Sequence, residues 1–231
     1  VENSKGEWGP GQEELNLGHE EPVEMADRHS IFKHGVKEVA ALMGLSVTFM
    51  AKWNTNFAGS SCHLHSSLRD AKTGEPLGWD QKGPAHMSPR LQQWVAGQLA
   101  LGRDLGLFYA PYVNSYRRYQ AGSFAPTRLV AGVDNRTCGM RILGHSAKAI
   151  RVENRCPGAD ANPYLAFAAT IAAGLHGIEQ NLKFEGLYTG NAYADPAVRQ
   201  VPKTLYEAID LLKQSKAART AFGDVVVDHY V

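Results

Sequence analysis

Apolar positions recur at helical spacing in separate segments of the chain, with short alternating or β-branched runs between them. After Pro22, the residues Phe32, Val36, Val39, Ala40 and Met43 fall on one helical face before Gly44 closes the pattern, so a long amphipathic helix is expected there. Ser88 followed by Pro89 is an N-cap with a first-turn proline. Leu91, Trp94, Val95 and Leu99 then give the stripe of a second helix over residues 88 to 105. Asn162 and Pro163 repeat the device before an alanine-rich run to Leu182. Thr204 and Glu207 form a capping box ahead of Ile209, Leu211 and Leu212. The runs VTFMAKW, SCHLHSSL, TRLVAGV and IRVENRC read as strands, and DNRTCGMR holds a further short one. DAKTGEPLGWDQKGP and LYTGNAYADP are loops that separate elements rather than domains. The pattern predicts an α+β fold in which an antiparallel β-sheet is flanked by helices, without repeats or low-complexity segments.

Composition narrows the function classes. With 231 residues and 44% hydrophobic content, the chain suffices for one sizeable core or two small ones. Lys plus Arg is 24 against 23 for Asp plus Glu, and neither sign forms a block. That balance gives no nucleic-acid footprint and no membrane-surface footprint, so the expected partners are small molecules or other subunits. Cys62, Cys138 and Cys156 are odd in number with no CxxC spacing, which fits a reducing compartment and a cytoplasmic location. No apolar run approaches the roughly 20 residues of a membrane span, and the start VENSKGEWGPG reads as mid-chain sequence rather than a signal peptide.

Candidate chemistry begins at GSSCHLHSSL, residues 59 to 68. On a strand, Gly59, Ser61, His63, His65 and Ser67 share one face, while Cys62, Leu64 and Leu68 face a core on the other. Two imidazoles then project into space kept open by glycine and serine, which suits a metal or a phosphate; two partly exposed histidines that happen to alternate give the same pattern. Carboxylates come from two other places. In GEWGPGQEELNL the Gly9, Pro10, Gly11 turn can bring Glu7 and Glu14 together, or simply shape a solvated acidic hairpin. In IRVENRC the residues Arg151, Glu153 and Arg155 share one face, as a site or as an exposed ladder of ion pairs. Glutamates with one imidazole and no thiolate suit Mg²⁺ or Mn²⁺. Arg117 and Arg118 in NSYRRYQAGSFAP, with Arg136 and Arg141 in DNRTCGMR, add guanidinium groups able to hold phosphate or carboxylate bidentately.

The ordered series GPGQEE, TFMAKW, GSSCHLHSSL, NSYRRY, DNRTCGMR and RVENRCPGADANPYLAFAA resembles the glutamine synthetase family across nearly the whole chain. The resemblance implies a catalytic domain of the glutamine synthetase and guanidino kinase type. It also implies a reaction joining glutamate to ammonia or an amine, with ATP as co-substrate, two divalent ions (Mg²⁺ or Mn²⁺) and a γ-glutamyl phosphate intermediate. By position, Glu7 and Glu14 match ligands of one metal, and His63 and Glu153 ligands of the other. His65, Ser67, Arg141, Lys148 and Arg151 match ATP contacts. Gly59, Arg118 and Arg155 match substrate-holding positions, and Arg118 and Arg136 match those that stabilise the transferring phosphoryl group. Phosphoryl transfer is mostly positioning and charge neutralisation, which such a set supplies.

One departure changes the expected acceptor. Ammonia-using members carry a glutamate in the loop before Ala-Pro, where it takes a proton from ammonium; this chain has Phe124 there. A phenyl ring accepts no proton. Members with an aromatic residue at this place resemble γ-glutamyl amine and polyamine ligases, so an organic amine is the expected acceptor and Phe124 is expected to line its pocket. Ser61 stands where the family usually has a second glycine. The resemblance also implies that residues 1 to 231 are part of a longer catalytic domain, lacking an N-terminal β-rich domain and a final C-terminal segment, inactive alone, and assembled in stacked rings of like subunits when whole. An ammonia-using glutamine synthetase, a non-catalytic structural relative and a guanidino kinase are the alternative readings.

Overall fold

The computed structural model describes all 231 residues. An antiparallel hairpin, β1 (Asn3–Gly6) and β2 (Glu13–Asn16), leads into the long helix α1 (Pro22–Leu42). Strand β3 (Leu64–Ser66) and helices α2 (Pro89–Leu101), α3 (Gly106–Tyr109) and α4 (Val113–Tyr116) follow. Strands β4 (Arg128–Val133), β5 (Cys138–Leu143) and β6 (Arg151–Asn154) precede α5 (Pro163–Glu179), α6 (Leu205–Gln214), α7 (Lys216–Phe222) and α8 (Asp224–Tyr230).

The main sheet has the order β3, β6, β5, β4. Its β3/β6 and β5/β6 pairs are antiparallel as expected, but the edge pair β4/β5 is parallel. Residues 134–137 make that crossover, far shorter than the dozen or more residues it ordinarily takes. A tight link permits it: Asp134 sits at φ +48°, and the Asn135 side chain accepts from Thr137 N and Oγ1 at 3.0 and 2.7 Å. β4 is also irregular, its register shifting between Arg128 and Ala131.

Helix starts follow the local chemistry. Ser88 Oγ accepts from Leu91 N, Asn162 Oδ1 from Tyr164 N, and Thr204 Oγ1 from Glu207 N. Only half of the expected capping box forms, because the Glu207 carboxylate turns to Lys203 N and to Arg103. α2 and α5 stop short of residues 105 and 182; Asn181, at φ +47°, bends the chain away after α5.

VTFMAKW is not a strand. Ala51 and Lys52 are buried, but Asn114 brackets Lys52, accepting from its N at 2.9 Å and donating to its O at 2.8 Å, and Ser60 N donates to Ala51 O. With its backbone groups met by a side chain and a loop, the segment has no ladder to join.

Two cores form. The larger joins α3, α5, α6 and the C-terminal helices; the smaller lies between α2 and the sheet, with Leu99 touching both. α2 and α5 meet backbone to backbone: a Cβ on Gly97 would lie 2.0 Å from Ala173 O, and one on Gly177 would lie 2.0 Å from Gln93 O. No helix is long and apolar enough to cross a membrane.

Candidate active site

Register assembles the first part of the site. β3, β6 and β5 lie side by side with His65 and Arg141 both opposite Glu153, so the three side chains line one sheet face. The alternation expected along residues 59–68 holds: Leu64 is buried, Cys62 and Leu68 pack on the cores, and Ser66 accepts from Trp94 Nε1. Burial pushes the Cys62 thiol up to about 11, so it is a packed thiol rather than a reactive one.

Glu153 is 2% exposed yet fully engaged. Its Oε1 lies 2.9 Å from His63 Nδ1 and accepts from Arg155 Nη1 at 2.7 Å, while Oε2 accepts from Arg141 Nη1 at 3.0 Å. Burial works against the charged carboxylate, but the His63 hydrogen bond and the surrounding cations outweigh it and hold Glu153 well below the usual carboxylate range. Burial lowers His63 to about 4 despite its bond to Glu153. A neutral imidazole has one ring nitrogen free of a proton, as a metal ligand requires, and Nδ1 is the nitrogen that faces Glu153.

The second carboxylate pair sits on the hairpin. Gly11 takes φ +66° in the turn, Gln12 N donates to Gly9 O, and Glu7 N donates to Gln12 O. Lys5, opposite Glu14 in the register, puts its Nζ 3.1 Å from Glu7 and 3.5 Å from Glu14. A hydrogen bond with Glu14 lowers the Glu7 carboxyl, while burial and then the same bond raise Glu14. Two carboxylates crowded around one ammonium are what a hard divalent ion favours. Gln12 ties this hairpin to the segment that leads through His63 into β3, donating from Nε2 to Gly59 O at 3.0 Å and to Ser60 Oγ at 3.1 Å.

Close approach requires glycine at position 59. A Cβ there would lie 2.6 Å from Ala51 O and 2.7 Å from Arg118 Cγ. Arg118, 3% exposed, runs past it and donates from Nη2 to the carbonyls of Arg155 (3.2 Å), Cys156 and Pro157 (2.9 Å). In this structure Arg118 therefore holds the backbone of the segment that carries Arg155. Arg155 is the hub: besides Glu153, it donates from Nη2 to Phe124 O at 3.0 Å. Phe124 takes φ +59°, and Tyr193 OH donates to the neighbouring Ala125 O at 3.0 Å. The Phe124 ring meets Trp8 edge to face, 6.3 Å between centroids.

The remaining expected contacts are more exposed. Arg151 donates from Nε to His65 Nδ1 at 3.2 Å and from Nη1 to Ala149 O. Arg141 adds Asp134 to its partners. Ser67, Arg136 and Lys148 are exposed. Glu7, Glu14, Gly59, His63, His65, Arg118, Phe124, Arg141, Arg151, Glu153 and Arg155 are thus joined by one chain of contacts, and the other three make no hydrogen bond or ion pair with it. Gln12, Lys5, Trp8 and Tyr193 belong to it without having been singled out in the sequence; the position of Gln12 between the two glutamates is the only local sign of them.

No group of three or more His, Cys, Asp or Glu converges, so each candidate ion site is a pair of donors. Nitrogen with carboxylate in one pair and two carboxylates in the other fit Mg²⁺ or Mn²⁺. Cavities of about 310 Å³, beside Tyr116 and Lys203, and about 390 Å³, beside Lys33 and Phe49, are lined by other residues.

Residues 1–231 match the family model described as glutamine synthetase, catalytic domain. The chain is 49% identical over 231 residues to the gamma-glutamylethanolamide synthetase of Streptomyces coelicolor, covering all of this chain and 48% of that protein. It is 39% identical over 232 residues to a glutamate–isopropylamine ligase of a Pseudomonas species, covering 100% of this chain and 50% of the ligase. To the type-1 glutamine synthetase 2 of Dictyostelium discoideum it is 41% identical over 229 residues, 97% of this chain and 44% of that one. Among solved structures, a GmaS/ADP complex superposes with a TM-score of 0.89 at 30% identity, over 99% of this chain and 54% of the other. The chain spans about half the length of the curated relatives it matches.

Proposed function

Since the chain belongs to the glutamine synthetase family, we propose that the protein containing it is an ATP-dependent ligase that joins the γ-carboxyl of glutamate to an organic amine through γ-glutamyl phosphate. The observation that carries this reading is Phe124. The loop position that bears a proton-accepting glutamate in ammonia-using members bears a half-exposed phenyl ring, and residues 117–127 contain no Asp or Glu at all. Two relatives named for an ethanolamide product and an isopropylamine substrate support it.

In this reading, the glutamate γ-carboxylate attacks the terminal phosphorus of ATP and ADP leaves; the amine nitrogen then attacks the acyl carbon, phosphate leaves, and the nitrogen loses a proton. Glu7 and Glu14 hold one divalent ion, Mg²⁺ or Mn²⁺, and His63 and Glu153 the other. When bound, these ions neutralise phosphate charge and orient the transferring group. Gly59 and Arg155 hold glutamate, with Arg118 fixing the backbone that carries Arg155. Arg118 and Arg136 supply guanidinium charge to the transferring phosphoryl group; His65, Ser67, Arg141, Lys148 and Arg151 meet ATP; Phe124 lines the acceptor pocket. Because Phe124 takes no proton, the amine arrives neutral or gives its proton to water or the departing phosphate.

Each ion has only two donors within these 231 residues, which supports weak ion binding and no turnover by the chain alone. Assembly into stacked rings of like subunits and a cytoplasmic location belong to the same proposal. A second reading, ammonia as acceptor, rests on the 41% identity to a type-1 glutamine synthetase, below the 49% to the gamma-glutamylethanolamide synthetase. Phosphate release by the full-length protein with ATP and glutamate separates them, comparing ammonium with a panel of mono-, di- and polyamines. Faster turnover with an amine supports the proposal, and preference for ammonium would replace it with the second reading.

A further inference from the structure

We infer that Trp8 forms the second wall of the acceptor pocket with Phe124, and that the pair selects a primary amine with a short, uncharged tail. This rests on the amine-ligase reading. Trp8 is 82% exposed and Phe124 50% exposed, although the two come from separate elements and meet edge to face. The backbone that carries each ring is fixed. Trp8 follows Glu7 directly at the hairpin turn that Gln12 pins to Gly59 and Ser60. Phe124 sits in the left-handed region, which disfavours a non-glycine residue; Arg155 and Tyr193 hold it there through the carbonyls of Phe124 and Ala125. Two water-facing aromatic surfaces kept in contact in this way form an apolar corner between Glu7, on one ion's side, and Arg155, on the glutamate side. A hydrocarbon tail laid against both rings leaves its nitrogen toward the reacting carbon. Within residues 1–231, a second ammonium finds no free carboxylate there. Residues 117–127 bring Arg117 and Arg118 and no carboxylate, Arg155 lies behind them, and the carboxylates beside Trp8, Glu7 and Glu14, already share Lys5 and are the pair assigned to an ion.

The test uses the full-length protein and steady-state phosphate release with hydroxylamine, methylamine, ethylamine, propylamine, butylamine and a three-carbon diamine. In the unsubstituted protein, kcat/KM should rise about threefold to fourfold per added methylene until the corner is filled. The diamine should be about tenfold poorer than butylamine, which matches it in length. In Trp8→Ala this dependence on the tail flattens, with the loss in amine KM rather than kcat. Values for hydroxylamine, glutamate and Mn²⁺ should stay within about twofold, and Trp8→Phe should restore most of the slope, since a second ring replaces the first. An unchanged slope in Trp8→Ala overturns the inference. So does an equal loss for hydroxylamine and butylamine, which would mean that Trp8 acts through Glu7 and its ion. A diamine preferred over butylamine overturns the uncharged tail. Preference of the unsubstituted protein for ammonium over every amine would instead sink the amine-ligase reading itself, whereas amine preference with an unchanged Trp8→Ala slope sinks only the role of Trp8.

Discussion

The two candidate ion sites are built in opposite ways. His63 immediately precedes β3 and Glu153 lies on the adjacent β6, with Glu153 buried and its oxygens engaged by His63, Arg155 and Arg141. Glu7 and Glu14 sit on an exposed hairpin whose only cation is Lys5 and whose hold on the rest of the molecule is Gln12 and the Trp8 ring. One pair is part of the scaffold, so its charge was neutralised when the chain folded. The other is a loosely held arm whose carboxylates still repel. Removing a charge from the first should cost stability, and removing one from the second should change ion binding with little effect on folding.

Glu153→Ala tests the contrast with the largest expected effect. Arg155, 4% exposed, would lose its buried counter-charge, and breaking such a pair costs about 3–5 kcal/mol. Urea unfolding should show that loss, against less than about 1 kcal/mol for Glu14→Ala on the exposed hairpin. Gly97→Val probes the helices that carry the sheet. Its side chain would collide with the Ala173 carbonyl, and overpacking of that kind costs up to about 3 kcal/mol in the same assay.

Acidification acts on both members of the sheet pair in one direction, whereas the shifts of Glu7 and Glu14 oppose each other. Because burial lowers His63 to about 4 from 6.5, the unfolded chain takes up a proton over that interval that the folded chain refuses, so stability is lost as pH falls below 6.5. Glu153, held below its ordinary 4.5, adds a further loss in the same direction below pH 4.5. His29, lowered to about 4 by burial in α1, contributes with the same sign. A His29→Phe variant should therefore keep the part of the pH dependence that belongs to the site, and a flat profile in it would place the whole effect in α1. The smallest effect is expected from Lys5→Ala. Stability should change by no more than about 0.5 kcal/mol, while Mn²⁺ titration of the full-length protein should show tighter binding once the competing ammonium is gone.

Local rules were legible in the sequence, and long-range pairings were not. Ser88, Asn162 and Thr204 marked helix starts because a cap is satisfied within a few residues. The alternation through residues 59–68 sorted Leu64 and Leu68 to the cores and His63 to the site because a strand has a period of two. The family resemblance supplied the remaining candidates by position alone. VTFMAKW has strand-like composition, but whether it pairs depends on what lies beside it, and there it meets Asn114 and Ser60. The parallel β4/β5 edge hinges on the Asp134–Thr137 link, whose turn residues do not declare which way the next strand runs. Arg118 read as a free guanidinium because nothing local shows the carbonyls of residues 155–157 that it holds. Gln12 and Tyr193 act across the fold and left no pattern of their own.

The central claim is that an amine replaces ammonia because Phe124 stands where a proton acceptor would. Its most direct test gives the full-length protein ATP, glutamate and equal concentrations of ammonium and ethylamine, and measures the ratio of γ-glutamylethylamide to glutamine by mass spectrometry, in the unsubstituted protein and in Phe124→Ala and Phe124→Glu. The account predicts mostly γ-glutamylethylamide from the unsubstituted protein, a weakened preference in Phe124→Ala, and a shift toward glutamine in Phe124→Glu. Glutamine as the main product of the unsubstituted protein, or a ratio that neither substitution moves, would contradict it.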